Sequence, residues 1–204
     1  METRIFTDDE AICWKCGMPA LAQVEPEFRH EVRCMCCDSH AFTAARAAGL
    51  YKGALRESVL LLKRQPYVPK HVQNLLLEAA RREPLNSSTR VVPVPLHSRR
   101  LKTRGFNQAS ILAEAVSRAL MLPLDEVSLA RVASTEKYRA GLDVKGRRDT
   151  VAGAFEVRHP RLVADENILL VDDVFTTGAT VSACAEALIS AGAVNVYVLT
   201  IARA

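Results

Sequence analysis

The sequence lacks any long apolar run. The chain has 204 residues, and no apolar run in it approaches the roughly 20 residues that a membrane-spanning helix needs. The first sixteen residues, METRIFTDDEAICWKC, are acidic and contain no apolar core of the kind that a secretion signal has. We therefore expect no membrane insertion and a cytoplasmic location, where cysteines stay reduced and are able to bind metal.

The sequence also lacks two familiar glycine-rich nucleotide motifs. It has neither the GxGxxG fingerprint of dinucleotide-binding folds nor the GxxxxGK[ST] loop of nucleotide hydrolases, and it has no internal repeat. The composition is otherwise ordinary, with 49% hydrophobic residues, 25% charged residues and a formal net charge of +4. A chain of this length accommodates one domain of typical size and a small appendage.

Residues 167–200 predict one βαβ unit. Residues 168–171 form a short apolar run, as expected for a strand buried on both faces of a parallel sheet, and Asp172 and Asp173 follow at once. A short loop leads into an amphipathic helix that ends near Gly192, and residues 194–201 give the next strand. The predicted buried face of this helix carries Val181, Cys184, Ala185, Leu188 and Ile189.

The loop that follows the two acids has the composition of an anion site. It consists of Thr176, Thr177, Gly178, Ala179 and Thr180. Backbone N–H groups and the helix dipole attract a phosphate at the start of a helix, and a glycine lets the backbone approach it closely. The carboxylates can accept hydrogen bonds from a diol, or organise a Mg²⁺ that the ligand mainly holds. The simpler alternative is an acidic strand end before an ordinary capped helix.

Cysteines organise the first 45 or so residues. Cys13 and Cys16 form one CxxC pair, and Cys34 and Cys37 form a second pair after a spacer of seventeen residues. This spacing is typical of a zinc ribbon, in which two tight turns supply four thiolates to one tetrahedral Zn²⁺. Such a short segment buries too little surface to fold without its metal. One alternative stays open, because Cys36 can replace Cys34 or Cys37 as a ligand.

The middle of the chain predicts helices, a strand and a basic loop. Residues 49–82 predict two helices, in which Tyr51 and Lys63 either have site roles or, more simply, are explained by packing and by a solvated face. Residues 90–95 predict a strand, and residues 108–121 predict an amphipathic helix. The loop between them carries Arg99, Arg100, Lys102 and Arg104 and no acid. Such a loop lies at the same sheet edge as the phosphate loop, so its cations face a pyrophosphate or simply form an exposed basic surface.

The string LLVDDVFTTGAT closely resembles the phosphoribosyl pyrophosphate (PRPP) loop of type I phosphoribosyltransferases. The resemblance implies an α/β fold of the type I phosphoribosyltransferase kind, with a parallel Rossmann-like sheet and flanking helices, behind the small zinc ribbon. It also implies that Asp172 and Asp173 contact the ribose hydroxyls of a PRPP–Mg²⁺ complex. Residues 176–180 would hold its 5′-phosphate.

A second string, VPVPLH followed by RRLKTRGFNQA, resembles the hallmark of the ComF family of phosphoribosyltransferase-like proteins. A four-cysteine module in front and DDVFTTGAT near the end match that family in order and spacing. We expect a zinc module over residues 1–48 and a phosphoribosyltransferase-type domain over residues 49–204. The resemblance implies a role in natural competence, the uptake of DNA by bacteria, with single-stranded DNA and other competence proteins as partners.

Residues 131–155 resemble the mobile catalytic loop of the same family. The segment is polar and basic, and it offers Arg139 and Arg147 as candidate catalytic residues. It departs from the family pattern at Arg139, where relatives tend to carry Gln, and at Thr150, where they tend to carry Asn. Arg147 and the Gly153-Ala154-Phe155 ending match the pattern.

Two functions are consistent with these features. The resemblance implies phosphoribosyl transfer to an acceptor that the sequence does not identify, with Arg99 and Arg100 holding the departing pyrophosphate. The alternative is a non-catalytic adaptor that uses the fold as a scaffold and binds single-stranded DNA through its basic loops. The salt dependence of single-strand binding discriminates between them.

Overall fold

The computed structural model describes residues 2–7, 10–20, 24–132 and 153–204. Within these ranges, the strands are β1 (Ala44–Leu50), β2 (Arg90–Pro93), β3 (Leu129–Arg131), β4 (Phe155–Val157), β5 (Asn167–Phe175) and β6 (Asn195–Arg203). Four of them form a parallel sheet in the order β1-β6-β5-β2, and β3 and β4 form a separate antiparallel pair.

The central strand β5 is buried on both faces. Ile168 and Leu170 pack into the hydrophobic cluster on one side of the sheet, whereas Leu169 and Val171 pack into the cluster on the other side. Alternate side chains of a strand point to opposite faces, so a continuous apolar run is what a doubly covered strand needs. The predicted parallel sheet is therefore confirmed.

Helices cover both faces of the sheet. The described residues form α1 (Gly53–Leu62), α2 (Lys70–Arg81), α3 (Ser98–Arg104), α4 (Gln108–Leu120) and α5 (Ala179–Ser190), with 3₁₀ turns at Pro26–Glu31, Leu85–Ser87 and Pro160–Leu162. The buried apolar side chains of α1 and α2 share one cluster with Leu112, Ala113 and Val116 of α4. Val181, Cys184, Ala185 and Leu188 of α5 lie in the other cluster, together with Ala109 of α4. In the part of the chain that the structure describes, no helix is both long and apolar enough to cross a membrane.

The cysteine segment packs on the outer edge of β1. The backbone N–H of Ala45 donates to the carbonyl of Lys15 at 2.7 Å, and that of Phe6 donates to Ala48 at 2.9 Å. Gly17 makes the close approach possible, since a Cβ there would lie 2.7 Å from the Ala45 carbonyl oxygen. Strand β1 runs across residue 48, and the division of the chain at that residue stays a prediction.

Three details of the predicted elements are wrong. The basic stretch after β2 is a short helix, α3, and not a loop. Strand β5 does not stop at Val171 but continues through both acids to Phe175, because it pairs with β6 as far as Arg203. Ile189 is 41% exposed and so lies outside the buried face of α5, whereas the other four predicted residues of that face are buried. The helices at residues 49–82 and 108–121 are confirmed, with small changes at their ends.

Candidate functional site

The carboxyl edge of the parallel sheet opens into a cleft of about 710 Å³. Clefts at this edge, outside the carboxyl ends of the strands, are where α/β sheets bind ligands. Among the predicted site residues, Arg99, Arg100, Arg104, Asp172, Asp173, Thr176 and Thr180 line it. The structure therefore brings together the two acids, part of the loop of residues 176–180 (the threonine loop) and three of the four predicted cations.

The two acids form the floor of the cleft in different surroundings. Asp173 is 7% exposed, and its Oδ2 lies 3.2 Å from Nζ of Lys63 and 3.4 Å from Nε2 of Gln108. The Asp172 carboxylate accepts a 2.8 Å hydrogen bond from the backbone N–H of Asp173. Burial, followed by the negative charge of Asp173, raises the pKa of Asp172 to about 8, although that N–H and Lys63 oppose the shift. A ligand that offers hydroxyl groups or a cation would therefore be favoured here.

Lys63 lines the cleft, so the site role left open for it is the correct alternative and the simpler interpretation of a solvated face is wrong. It follows Leu62, the last buried residue of α1, and its side chain turns back over the sheet edge to Asp173. In the sequence, the signal for this role is that Lys63 comes directly after the apolar residues of α1, at the end of the helix. Gln108 also lines the cleft without having been predicted. Tyr51 is half-buried and packs against the hydrophobic cluster, as predicted.

The threonine loop turns sharply at Gly178, the residue that precedes α5. Its φ of +77° is a left-handed conformation that favours glycine. A Cβ at this position would lie 2.8 Å from both Nε2 of His40 and Cζ of Phe175. Thr176 and Thr180 face the cleft, whereas Thr177, Gly178 and Ala179 are not among its lining residues. These three residues shape the backbone of the loop.

The basic helix α3 forms the opposite wall. Its first turn is capped by His97, whose Nδ1 accepts the backbone N–H of Arg99 at 3.2 Å, and its last turn ends at Gly105 in the left-handed conformation. Arg99 and Arg100 are exposed and line the cleft, and Lys102 is exposed but does not line it. Cations thus stand on one wall above an acidic floor.

A hydrogen-bond chain links this wall to the floor. The guanidinium of Arg104 donates to the side-chain oxygen of Gln108, and the amide of Gln108 donates to Asp173. Asn107, which caps the start of α4, donates from Nδ2 to the carbonyl of Val94 at 3.0 Å. These hydrogen bonds at the start of α4 therefore fix the position of Arg104 relative to Asp173.

The four predicted cysteine ligands converge on one point. The Sγ atoms of Cys13, Cys16, Cys34 and Cys37 all lie within 4.8 Å of one another. The closest pairs are 3.4 to 3.6 Å apart, near the ~3.8 Å that tetrahedral Zn–S bonds of ~2.3 Å require. The residues therefore fit one Zn²⁺. Cys36 is exposed and lies outside the group, which removes it as an alternative ligand.

Hydrogen bonds and burial shift the pKa values of these thiols in opposite directions. Hydrogen bonding with Cys16 lowers the pKa of Cys13, while the same contact and burial raise the pKa of Cys16. Burial raises the pKa of Cys37 to about 12. Protons shared in this way are what a divalent cation displaces when thiolates bind it. Cys184 is fully buried in the core, as predicted, and burial raises its pKa.

The two candidate catalytic residues of the basic segment, Arg139 and Arg147, lie outside the described residues. Of the basic residues of that segment, Arg131 is described. It belongs to β3 and lines the cleft, with its guanidinium carbon 5.4 Å from the ring centroid of Phe155.

Comparison with known proteins agrees with this architecture. Residues 102–204 match the model of the phosphoribosyl transferase domain. The chain is 30% identical over 209 residues to the DNA utilization protein YhgH of Escherichia coli O157:H7, an alignment that covers 98% of this chain and 88% of the relative. It is 35% identical over 133 residues to competence protein F of Haemophilus influenzae, covering 62% of this chain and 56% of that one.

A solved structure of Bacillus subtilis glutamine PRPP amidotransferase, in complex with ADP and GMP, is also similar to part of the chain. The identity is 19% and the TM-score 0.42, over 63% of this chain and 25% of that one.

The parallel sheet, its carboxyl-edge cleft and the matching domain model define a phosphoribosyltransferase-type protein. The relatives carry the assignment one step further. The chain belongs to the ComF family of phosphoribosyltransferase-like proteins.

Proposed function

We propose that this protein binds PRPP together with Mg²⁺ in the cleft at the carboxyl edge of its sheet. One observation carries the proposal: the acid pair, the threonine loop and the basic helix all line the same cleft. PRPP carries a 5′-phosphate, two vicinal ribose hydroxyls and a pyrophosphate, and each of these groups has a chemically matched partner in the cleft.

The matching follows from charge and from hydrogen-bonding capacity. The start of α5 and the hydroxyls of Thr176 and Thr180 suit the 5′-phosphate. Asp172 and Asp173 accept hydrogen bonds, as the ribose hydroxyls require, and Arg99 and Arg100 suit the pyrophosphate. Magnesium bound with the ligand neutralises part of the pyrophosphate charge. A cleft of about 710 Å³ lies within the usual range for small-molecule sites.

The same arrangement would support phosphoribosyl transfer. The C1′–O bond breaks as pyrophosphate leaves with its bonding electron pair, and an acceptor forms the new bond to C1′. Cations on the α3 wall would stabilise the charge that develops on the pyrophosphate. Arg139 and Arg147 stay candidates for the loop that closes over the sugar. Release of pyrophosphate that depends on an added acceptor would demonstrate the reaction.

The test of binding is calorimetric titration of the purified, zinc-containing protein with PRPP, with and without Mg²⁺. We expect saturable binding to one site per chain that weakens greatly when Mg²⁺ is left out. A complete absence of heat at millimolar PRPP, in a protein that unfolds cooperatively, would refute the assignment.

The cellular role that we propose is the handling of DNA during natural competence in the cytoplasm. Its support comes from relatives that are named as a DNA utilization protein and as a competence protein. The relevant partners would be single-stranded DNA and other DNA-processing proteins.

A second candidate function is binding of single-stranded DNA without catalysis. It is favoured by α3, whose Arg99, Arg100 and Lys102 are exposed along one short helix. Cations on a surface bind nucleic-acid phosphates with an affinity that falls steeply with salt. The fold would then serve as a scaffold.

Two variants of α3 separate the candidates. Lys102→Gln removes a cation that does not line the cleft, whereas Arg99→Gln removes one that does. If DNA binds along α3, both variants weaken it and lower the salt slope by about one unit. PRPP affinity falls in Arg99→Gln alone. Failure of the wild-type protein to bind a single strand at low salt would eliminate the second candidate.

A further inference from the structure

We propose that the four-cysteine centre holds the phosphate loop in its binding conformation, and that Arg203 positions the two against each other. We use the term phosphate loop from here on for Phe175 together with the threonine loop, residues 175–180. Its role in binding phosphate rests on the proposed function. The centre and the loop belong to different parts of the chain, yet two independent sets of contacts join them.

The first set of contacts passes through Arg203, at the end of β6. Its guanidinium Nη1 donates to the backbone carbonyl of Cys16 at 2.5 Å, and Nη2 lies 3.8 Å from the Sγ of the same cysteine. Its Cζ lies 4.5 Å from the ring centroid of Phe175. Since Phe175 immediately precedes Thr176, one buried side chain spans from a metal ligand to the first residue of the loop.

The second set of contacts starts at the other CxxC turn. The backbone N–H of His40 donates to the carbonyl of Cys37 at 3.0 Å. The His40 ring stacks on Phe42 with centroids 5.0 Å apart, and it lies directly against Gly178. The next residue, Ala41, donates its N–H to Oγ of Ser182 in the first turn of α5. Both cysteine pairs therefore reach the loop.

These contacts leave little room for the loop to move independently. Gly178 is held in a left-handed conformation against His40 and Phe175, with no space for a methyl group. A segment as short as the cysteine module depends on its metal to fold. Removing the metal would therefore remove the surface on which Gly178 and the start of α5 rest. Thermodynamic linkage then requires that a ligand in the loop also favours retention of the metal.

Arg46 provides a matched control. It is 3% exposed, and its Nη1 donates to the carbonyl of Trp14 within the first CxxC turn at 2.9 Å. Its Cζ lies 5.0 Å from the Trp14 ring, as Arg203 lies on Phe175. Its remaining hydrogen bonds run to the carbonyls of Glu83 and Ala45, and none of its contacts among the described residues reaches residues 175–180. Arg46 thus joins the module to the sheet but not to the loop.

The first experiment needs neither a ligand nor a variant. Amide hydrogen exchange of the full chain is compared between the zinc-loaded protein and protein stripped with a chelator. We expect the amides of residues 176–182 to exchange about tenfold faster or more after stripping, while those of α2 stay unchanged. A change confined to residues 10–42 would overturn the proposal.

The second experiment uses zinc-loaded variants and Mg²⁺–PRPP as the probe. Arg203→Met should weaken PRPP binding by about five- to fiftyfold, a typical range for coupling between sites, and Arg46→Met by less than about twofold. Arg203→Lys, which keeps a charged donor, should restore part of the affinity. Equal losses in Arg203→Met and Arg46→Met would contradict a positioning role for Arg203.

Folding failure and failure of the proposed function can both be told apart from failure of this inference. If Arg203→Met does not fold, Phe175→Leu breaks the same connection by removing the ring under the guanidinium, and it should give the same loss of affinity. If the wild-type protein binds no PRPP, the proposed function fails, but the exchange experiment still decides whether the centre supports the loop.

Discussion

The carboxyl group of Asp172 lies where its charge is disfavoured. Burial and the neighbouring Asp173 raise its pKa to about 8, from an ordinary value of 3.8. As pH rises from about 4 to about 8, the unfolded chain has lost this proton while the native protein still binds it. Stability must therefore fall with rising pH across this window, so far as this one group is concerned.

This reasoning gives a prediction for Asp172→Asn. The variant cannot ionise at this position, so its thermal midpoint should fall less than that of the wild-type protein between pH 5 and pH 8, and it should be the more stable protein at pH 8. Differential scanning calorimetry across that range measures the difference. The control is Asp165→Asn, at an exposed position with a φ of 63° that Asn also tolerates. Parallel curves for wild type and Asp172→Asn would contradict the prediction.

The acid pair as a whole should be needed for ligand binding. We expect Asp172→Asn combined with Asp173→Asn to weaken Mg²⁺–PRPP binding by about a hundredfold. The change removes a charge-assisted hydrogen bond at Asp173, which contributes about 1.5–3 kcal/mol, and an ordinary one at Asp172, which contributes about 1 kcal/mol. The protein should stay folded, since both side chains line the cleft and belong to neither hydrophobic cluster. Calorimetric titration of the double variant gives the affinity, and circular dichroism checks its fold. Unchanged affinity would mean that the ligand binds elsewhere.

At the scale of the elements, the turn into α5 depends on two properties of Gly178. It adopts a φ of +77°, and it packs so closely that a Cβ would meet His40 and Phe175 at 2.8 Å. Gly105, at the end of α3, has a similar φ of +85°, but a Cβ there would meet nothing within 4 Å. The two glycines therefore separate the effect of backbone conformation from the effect of contact.

Substituting alanine at both positions tests this difference. Gly105→Ala should lower the free energy of unfolding by about 1–2 kcal/mol, the strain of a left-handed alanine. Gly178→Ala should lower it by a further ~1–3 kcal/mol, because His40 and Phe175 must shift, and it should also impair PRPP binding. Urea unfolding measures both values. Equal losses would show that packing at Gly178 has no energetic role.

Some elements and site residues could be predicted from the sequence, and others could not. The parallel βαβ unit and the cysteine cluster follow from local pattern, because burial on both faces and paired CxxC spacing leave few alternatives. The length of β5 does not, since its last residues are held by pairing with β6 rather than by their own propensity. Lys63 lies far from Asp173 in sequence, and only the tertiary fold brings them to 3.2 Å. Helix α3 is too short for periodicity to distinguish it from a loop.

For the molecule as a whole, the cysteine module is part of the fold rather than an attachment to it. Buried arginines on both β1 and β6 donate to carbonyls of the first CxxC turn, and Cys13, Cys16 and Cys37 lie in the same cluster as α5. Strand β1 continues directly from the module into the sheet. Changes at the metal site should therefore reach the side of the sheet that α5 covers.

Metal content and stability should change together. We expect about one equivalent of zinc per chain by elemental analysis, bound by four thiolates. Cys37→Ser removes a buried ligand and should lose the metal, the folded NMR signals of the first 45 or so residues and several degrees of thermal midpoint. Cys36→Ser replaces the exposed neighbour outside the cluster and should keep all three. Loss of zinc in Cys36→Ser, or a fully folded module without metal, would contradict this assignment.

Because the module and the sheet share one core, chelation of the wild-type protein should reproduce the Cys37→Ser result rather than unfold the module alone.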